Sequence, residues 1–383
     1  MKVVYLLTYL DSQTGGMERQ ALQLAKKLRE KGHEIFFITC AHLSRMRQEH
    51  LRLIDTKEGF RVYRIPFFGG VRYLNMVLYG IGTLILLFLM QKQYRIIHAH
   101  QLYTSGVVGA FAKLFLRSKK LIVKNCCGGE FSDVKFLKQL PGFPFVMRRM
   151  RRAVDRWIAI SDETQREMQA ERLGRIIYIP NGVDTAYFHP KDVVRKSTLR
   201  EKMKIDPHDK VVLFIGKFDP QKNIPVLLKA MGSVGPNVHL LIVGTGSLRP
   251  ILERYVATNN LHKKVTFCGA VSDTKEYYQI ADLFVLPSRA EGLSNVLLEA
   301  MSSGLPCIGS DIAGIRAVVA HGVNGYLVPL DDASAFAWAI TRVFAQPEEA
   351  RRTGDAARAS VIKRFSLDSV AQSYVRLYET LVS

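Results

Sequence analysis

The 383-residue sequence predicts an α/β protein built from two doubly wound, Rossmann-like domains. Three observations carry that expectation. Short continuous apolar runs recur along the chain, as in parallel strands covered on both faces. Amphipathic stretches with polar starts separate them. The alternation runs to about residue 180 and begins again at Lys210, after a segment rich in turn formers and bounded by Pro180 and Pro190.

Met1–Leu10 reads as a buried first strand rather than a signal peptide, because its apolar core is short, Asp11 interrupts it and no small-residue cleavage site follows. A loop over Asp11–Gly16 leads into a helix with Ala21, Leu24, Ala25 and Leu28 on one face and Gly32 at its end. Further strands are expected at 34–39, 95–99, 120–124, 156–160 and 176–179. In the second half they are expected at 210–216, 239–244, 265–268, 283–286 and 306–309. Strand, helix, strand in this order makes a right-handed parallel unit. The last helix, from about Leu367 to Leu381, places Val370, Tyr374, Leu377 and Leu381 on one packed side. The division is then 1–185, 190–365 and a closing helix over 366–383.

Composition is that of a globular protein, and the length suits two cores. Five cysteines show no metal-ligand spacing, and adjacent Cys126 and Cys127 make a poor disulfide, so a reduced cytosolic compartment fits. The net charge of +20 is uneven: residues 1–190 hold 30 Lys/Arg against 15 Asp/Glu, the remainder 24 against 19. Nucleic acid, anionic lipid and a phosphorylated substrate all suit such a surface.

The segment Ser288–Asp311 carries most of the chemistry. It sets Glu291 and Glu299 eight positions apart around a helix start, between an apolar strand ending at Pro287 and another at Pro306–Ser310. A carboxylate at a strand's carboxyl end, followed by the N–H groups of a new helix, makes a polar pocket where such sheets bind ligands. A hydrolytic carboxylate pair stands roughly 5–10 Å apart across one bond. Eight helical steps would separate this pair by roughly 12 Å and about 80° of rotation. They are better placed to grip two parts of one elongated ligand than to act as an acid/base couple. The bland alternative is a capped helix with a solvent-facing glutamate.

Lys217 and Lys222, in Gly216–Asn223, lie where a strand ends and a helix begins, so their charge can converge on a diphosphate. Two ammonium groups there would stabilise a nucleoside-diphosphate leaving group and replace a metal ion. The alternative is a pair of solvated loop lysines. Gly15 and Gly16 would let backbone approach a phosphate or serve simply as a flexible turn. His98 and His100 close an apolar strand on one face, at the end that lines the ligand crevice in such sheets. In Val243–Gly246 the third glycine of a dinucleotide fingerprint is replaced by Arg249, which disfavours a nicotinamide site. No Ser-His-Asp order and no metal cluster emerges.

With Pro180–Asp184, Gly216–Asn223, Val243–Gly246, the Glu-x7-Glu stretch and Asn324–Val328 in consecutive order, the whole chain resembles the retaining family-4 glycosyltransferases. The resemblance implies the GT-B fold, two Rossmann-like domains facing across a cleft with the final helix crossing back to the first. It implies that Glu299 binds ribose hydroxyls and Glu291 the donor sugar, with backbone amides of Gly292, Leu293 and Ser294 holding that sugar or its phosphate. It places the Gly15–Gly16 loop at the donor diphosphate and His100 near the reacting sugar. Lys217 stands where relatives usually carry Arg and loses the planar fork. Lys124–Glu130 departs from the His-Gly pattern common in relatives. The implied reaction retains anomeric configuration without a protein nucleophile or metal, the acceptor hydroxyl attacking on the leaving-group face.

Val77–Met90 is an apolar run of fourteen, short of the roughly twenty that span a bilayer, flanked by Arg72, Asn75 and Lys92. It is either a domain helix or an interfacial one dipping into lipid. Pro144–Arg152 interleaves basic and apolar residues, as a solvated helix face does and as a headgroup-binding surface does. The expectation is a nucleotide-diphospho-sugar (UDP or GDP) transferase, without cofactor or metal, peripheral on the cytoplasmic face of the membrane. Its acceptor would be a glycan or lipid-linked, in surface-polysaccharide, lipopolysaccharide or glycolipid assembly, and no nucleic acid is expected. The rivals are a soluble sugar-to-sugar synthase of the same family, a nucleotide-sugar epimerase or hydrolase, and a non-enzymatic basic nucleic-acid binder. The last lacks aromatic-basic recognition motifs.

Overall fold

A computed structural model describes residues 1–10, 15–68, 72–190, 193–203 and 205–383, with backbone alone at 45, 72–74 and 193–195. The first four residues of the predicted glycine loop, 11–14, and the side chain of Arg72 therefore lie outside the described residues. The chain forms two compact units, Met1–Asn181 with Leu367–Ser383, and Gly182–Ser366.

Among the described residues the first unit is built on eight strands: β1 (Lys2–Leu6), β2 (Glu34–His42), β3 (Ile54–Lys57), β4 (Phe60–Phe67), β5 (Ile96–Ala99), β6 (Lys120–Lys124), β7 (Arg156–Ala159) and β8 (Ile176–Tyr178). Their order is β3-β4-β2-β1-β5-β6-β7-β8. All neighbours are parallel except the β3–β4 pair. That hairpin is not among the expected strands. Its turn is Glu58-Gly59, with φ of 50° and 81°, and two positive values are what a two-residue hairpin demands. The second unit contains β9 (Lys210–Ile215), β10 (Val238–Val243), β11 (Val265–Gly269), β12 (Leu283–Leu286), β13 (Cys307–Ser310) and β14 (Tyr326–Val328), in the order β11-β10-β9-β12-β13-β14. Every neighbouring pair there is parallel.

Each sheet changes winding direction once. In the first unit the change falls between β1 and β5, in the second between β9 and β12. Loops leaving the carboxyl ends on either side of such a point diverge and leave a crevice. Strand order thus sets one such crevice in each unit.

The first sheet is covered on both faces. Helices Arg72–Leu89, Ser105–Ala112 and Phe143–Ala153 cover one face with Leu87, Ala110, Met147 and Met150. Helices Gly16–Glu30 and Leu367–Val382 cover the other, with Leu24, Leu28, Tyr374 and Tyr378 against Val3, Tyr5 and Ile96. The final helix is held by more than apolar area. The Tyr378 hydroxyl lies 2.8 Å from His98 Nδ1 and 3.1 Å from the Tyr5 hydroxyl, all of it buried. Burial, with the Lys124 charge added, holds the His98 imidazole well below its usual pKa, so the ring stays neutral.

The helix Arg72–Leu89 is apolar around its circumference. Tyr79, Thr83 and Leu87 turn inward, while Val77, Ile81, Ile85, Phe88 and Leu89 are exposed. Among the described residues no helix is long and apolar enough to cross a membrane.

Replacing Tyr378 by Phe removes one hydroxyl and leaves His98 Nδ1 buried without its partner. The expected cost is about 1–3 kcal/mol of unfolding free energy. Urea denaturation of the variant against the wild type measures it, and an unchanged midpoint would show that the hydroxyl does not tie the helix down.

Candidate functional site

In the second unit the loops after β9 and β12 emerge side by side at the winding change. After β9 the chain makes the short turn Pro220–Lys222, where the Asp219 carboxylate accepts from the Lys222 amide at 3.2 Å. Asn223, left-handed at φ 52°, redirects it into helix Ile224–Met231 and donates its side-chain amide to Asp331 Oδ1 at 2.8 Å. After β12 the chain passes through buried Ser288, Glu291, Gly292, Leu293 and Ser294 before helix Asn295–Ser302 begins. The two loops are clipped together: the Arg289 amide donates to Gln221 O at 2.8 Å, and Gln221 Nε2 to Ala290 O at 2.7 Å.

That clip brings Lys222 and Glu291 together. Lys222 Nζ donates to Glu291 Oε1 at 2.6 Å, and the Ser288 hydroxyl donates to the same oxygen at 2.7 Å. The carboxylate side chain is 8% exposed and the ammonium 17%. A charge pair this enclosed needs each partner, because removing one leaves an uncompensated charge. Lys217 is exposed and stands outside this contact.

The site also corrects one piece of sequence geometry. Glu291 precedes the helix, which starts at Asn295, so counting eight helical steps to Glu299 does not describe their separation. Glu299 lies inside the helix, 3% exposed, and its Oε2 accepts from the Tyr278 hydroxyl at 2.9 Å. Two glycines keep the neighbourhood tight. A Cβ on Gly314 would lie 2.0 Å from Glu291 O, and one on Gly244 would lie 1.9 Å from Gly216 O. The glycines of Val243–Gly246 thus serve close loop packing against Gly216 and Phe218.

Ser288, Gln221, Tyr278 and Gly314 escaped sequence reasoning. Ser288 was visible, three residues before Glu291, but nothing in spacing alone connects Tyr278 to Glu299 or Gly314 to Glu291.

In the first unit Gly15 takes the N-cap position of helix Gly16–Glu30 with extended backbone. His100, one residue beyond β5, stacks on His98 with ring centroids 4.1 Å apart and lies 4.3 Å from the Tyr5 ring. Alternation does put both histidines on one side. His100 is buried, its Nε2 has no hydrogen-bond partner, and burial followed by the His98 and Lys124 neighbours lowers its pKa well below the usual value. The loop after β6 is equally enclosed. Lys124 Nζ donates to Asn181 Oδ1 at 2.8 Å, both side-chain polar atoms of Asn125 are buried without partners, and burial first, then Asp133, raises the Cys126 thiol. Asp133 Oδ2 accepts from the Leu102 amide at 3.3 Å and the Cys126 amide at 3.0 Å, tying the loops after β5 and β6 together. Among the described residues no three His, Cys, Asp or Glu side chains gather as a metal site.

Both halves of the chain match known families. Residues 195–360 match the family described as Glycosyl transferases group 1, and residues 14–187 match Glycosyltransferase Family 4. The UDP-Gal:alpha-D-GlcNAc-diphosphoundecaprenol alpha-1,3-galactosyltransferase of Escherichia coli is 30% identical over 266 residues, 67% of each chain. The chain belongs to the family-4 glycosyltransferases. The glycosyltransferase is also 29% identical over 393 residues to the phosphatidyl-myo-inositol mannosyltransferase of Mycolicibacterium smegmatis, covering 100% of this chain and 94% of the relative. It is 25% identical over 373 residues to the N-acetyl-alpha-D-glucosaminyl L-malate synthase of Bacillus anthracis, covering 95% and 93%. Among solved structures, the sucrose-phosphate synthase of Thermosynechococcus elongatus superposes with a TM-score of 0.83 at 24% identity, over 99% of this chain and 98% of that one. HepE of Anabaena with UDP and glucose gives 0.81 at 22% over the whole of both chains. The fold of this glycosyltransferase is GT-B.

Two outcomes are expected. Gly314→Ala drives a Cβ into the Glu291 carbonyl and should cost about 2 kcal/mol or more of stability. Thermal denaturation reads it, and an unshifted Tm would show that the loop yields freely. For Asp133, burial outweighs the two amide bonds and lifts the carboxyl to about 6. The folded state then takes up this proton before the unfolded chain does, so the group's penalty is felt above pH 6 and relieved as pH falls. Asp133→Asn, which keeps an acceptor for both amides, should stabilise the protein by on the order of 2 kcal/mol at neutral pH and converge with wild type near about pH 4. Denaturation across that range checks the crossover.

Proposed function

We propose that the enzyme transfers a sugar from a nucleotide-diphospho-sugar, UDP- or GDP-linked, to an acceptor hydroxyl with retention of configuration and without a metal ion. The Lys222–Glu291–Ser288 cluster beside the winding change carries this reading, with buried Glu299 on the adjoining helix. Glu291 and the backbone of Gly292, Leu293 and Ser294 take the donor sugar and its phosphate; Glu299 takes ribose hydroxyls. Lys222, joined by exposed Lys217, faces the diphosphate. As the C1–O bond breaks, its electron pair passes to the β-phosphate oxygen, and the ammonium charge stabilises the transition state in proportion to the charge that develops there. The acceptor oxygen bonds to C1 on the same face and its proton passes to the departing phosphate, so no protein nucleophile is needed. Held already against Glu291, Lys222 requires little reorientation, which is the advantage of a pre-organised site.

The acceptor is a lipid-linked or polysaccharide glycan, and the enzyme works as a peripheral protein on the cytoplasmic face of a membrane. Relatives named for a diphosphoundecaprenol-linked sugar and for phosphatidyl-myo-inositol support the acceptor class, and HepE, solved with UDP and with UDP-glucose, supports the donor.

Thermal-shift titration with UDP- and GDP-sugars should raise Tm for one base, and no shift with any nucleotide-sugar would sink the assignment. Glu299→Ala should weaken nucleotide binding about tenfold, whereas Glu291→Ala should lower kcat more than it weakens free-nucleotide binding. Equal, negligible effects would overturn these roles. The anomeric coupling of the product, read by NMR, decides retention, and turnover undiminished by EDTA decides metal independence.

A further inference from the structure

An apolar groove of about 290 Å³ opens on the first unit, lined by Leu84, Ile85, Phe88 and Leu89 of helix Arg72–Leu89 and by Phe115 and Leu116 of the turn after helix Ser105–Ala112. It belongs to a larger exposed apolar face. Val77 and Ile81 extend it along the same helix, and Phe145 meets Phe111 at a ring separation of 6.3 Å. Leu89, Phe115 and Phe145 are 71%, 73% and 66% exposed. So much contiguous apolar surface on a folded domain marks a docking face.

What covers it is indicated by charge. One step further along both groove segments the residues become cationic: Lys92 and Arg95 after Leu89, and Arg117, Lys119 and Lys120 after Leu116. The two segments are fastened together there, the Tyr94 hydroxyl donating to Leu87 O at 2.8 Å, Lys119 Nζ to Tyr94 O at 2.9 Å and the Lys120 amide to Arg95 O at 3.0 Å. A cavity lined by Arg95, Ser118, Lys119 and Lys120 lies beside this junction. Burial and the charge of Arg95 both depress the Lys119 ammonium, as crowded cations do. Glu379 is on the neighbouring rim, with Lys2, Lys92 and Arg95. Helix Phe143–Ala153, which packs on helix Ser105–Ala112, exposes Arg148 and Arg152 and buries Met147 and Met150. A hydrocarbon slot whose two segments each run on into cations has the polarity of an anionic phospholipid.

We infer that this groove and its cationic rim are a docking site for an anionic phospholipid of the membrane leaflet, one acyl chain lying between Phe88, Leu89 and Phe115 and the phosphate meeting Lys92, Arg95 and Arg117. The inference rests on the peripheral-membrane reading above and names its surface. The site is an anchor and not an acceptor subsite. Residues 113–119 join the end of helix Ser105–Ala112 to the start of β6, so the groove lies toward the amino ends of the strands, while Gly15 and His100 lie at the carboxyl ends.

Sedimentation of the full-length protein with phosphatidylcholine vesicles, with and without phosphatidylglycerol, tests it. Wild type should bind the anionic vesicles, and added salt should weaken that binding. The double substitution Ile85→Asp/Phe115→Asp should lower binding about tenfold or more, since it places two carboxylates where acyl chain would lie. Lys92→Glu/Arg117→Glu, all at exposed positions, should do the same by reversing the rim. Both variants should keep the wild-type thermal shift with donor nucleotide, which certifies the fold. Binding of either variant equal to wild type, or equal binding of wild type to neutral and anionic vesicles, overturns the assignment. Absence of vesicle binding alongside an intact nucleotide shift overturns the docking site and leaves the transferase reading standing.

Discussion

A parallel sheet must be covered on both faces, and that constraint orders nearly everything in this molecule. It forces each connection to cross over through a helix, and it confines polar loops to the strand ends. It also makes winding direction a discrete choice. Because each unit reverses direction once, between β1 and β5 or between β9 and β12, one crevice per sheet receives the loops with room to be polar. The enclosed Lys222–Glu291 pair sits at one of them, where neighbouring loop backbone and Ser288 complete the hydrogen bonding.

The same constraint explains what was legible in the sequence. Strands buried on both faces are continuous apolar runs, so β1, β2, β5, β6, β9, β10 and β12 could be read directly. The β3–β4 hairpin could not, because β3 is short and mostly polar and the turn uses Glu58-Gly59 in place of the common Asn-Gly. The spacing of Glu291 and Glu299 was visible, but the helix boundary at Asn295 was not, and it changes the geometry between them. Contacts made by strand order, such as Lys222 to Glu291 across 69 residues, have no local signature. Both residues could be nominated individually; their pairing required the topology.

The helix Arg72–Leu89 shows how hydrophobicity alone can leave two outcomes open. Fourteen apolar residues could have been a wholly buried core helix or one that lies at an interface. The helix is split lengthwise, Tyr79, Thr83 and Leu87 serving the core while Ile81, Ile85 and Phe88 remain outside. A soluble domain helix needs only one apolar stripe. The second stripe has no role in the core of the first unit.

The closing helix has a consequence for how the chain is made. His98 and Tyr378 are separated by 280 positions, yet their side chains complete one buried contact. Between them in sequence lies the whole second unit, Gly182–Ser366. On the ribosome the first sheet emerges early with the face that receives Tyr374 and Tyr378 still bare, while the second unit can pack from contiguous sequence as soon as it is synthesised. The domain begun first is therefore the one finished last. Its uncovered face, with Tyr5 and His98 open to water, is the surface that a nascent-chain chaperone would meet.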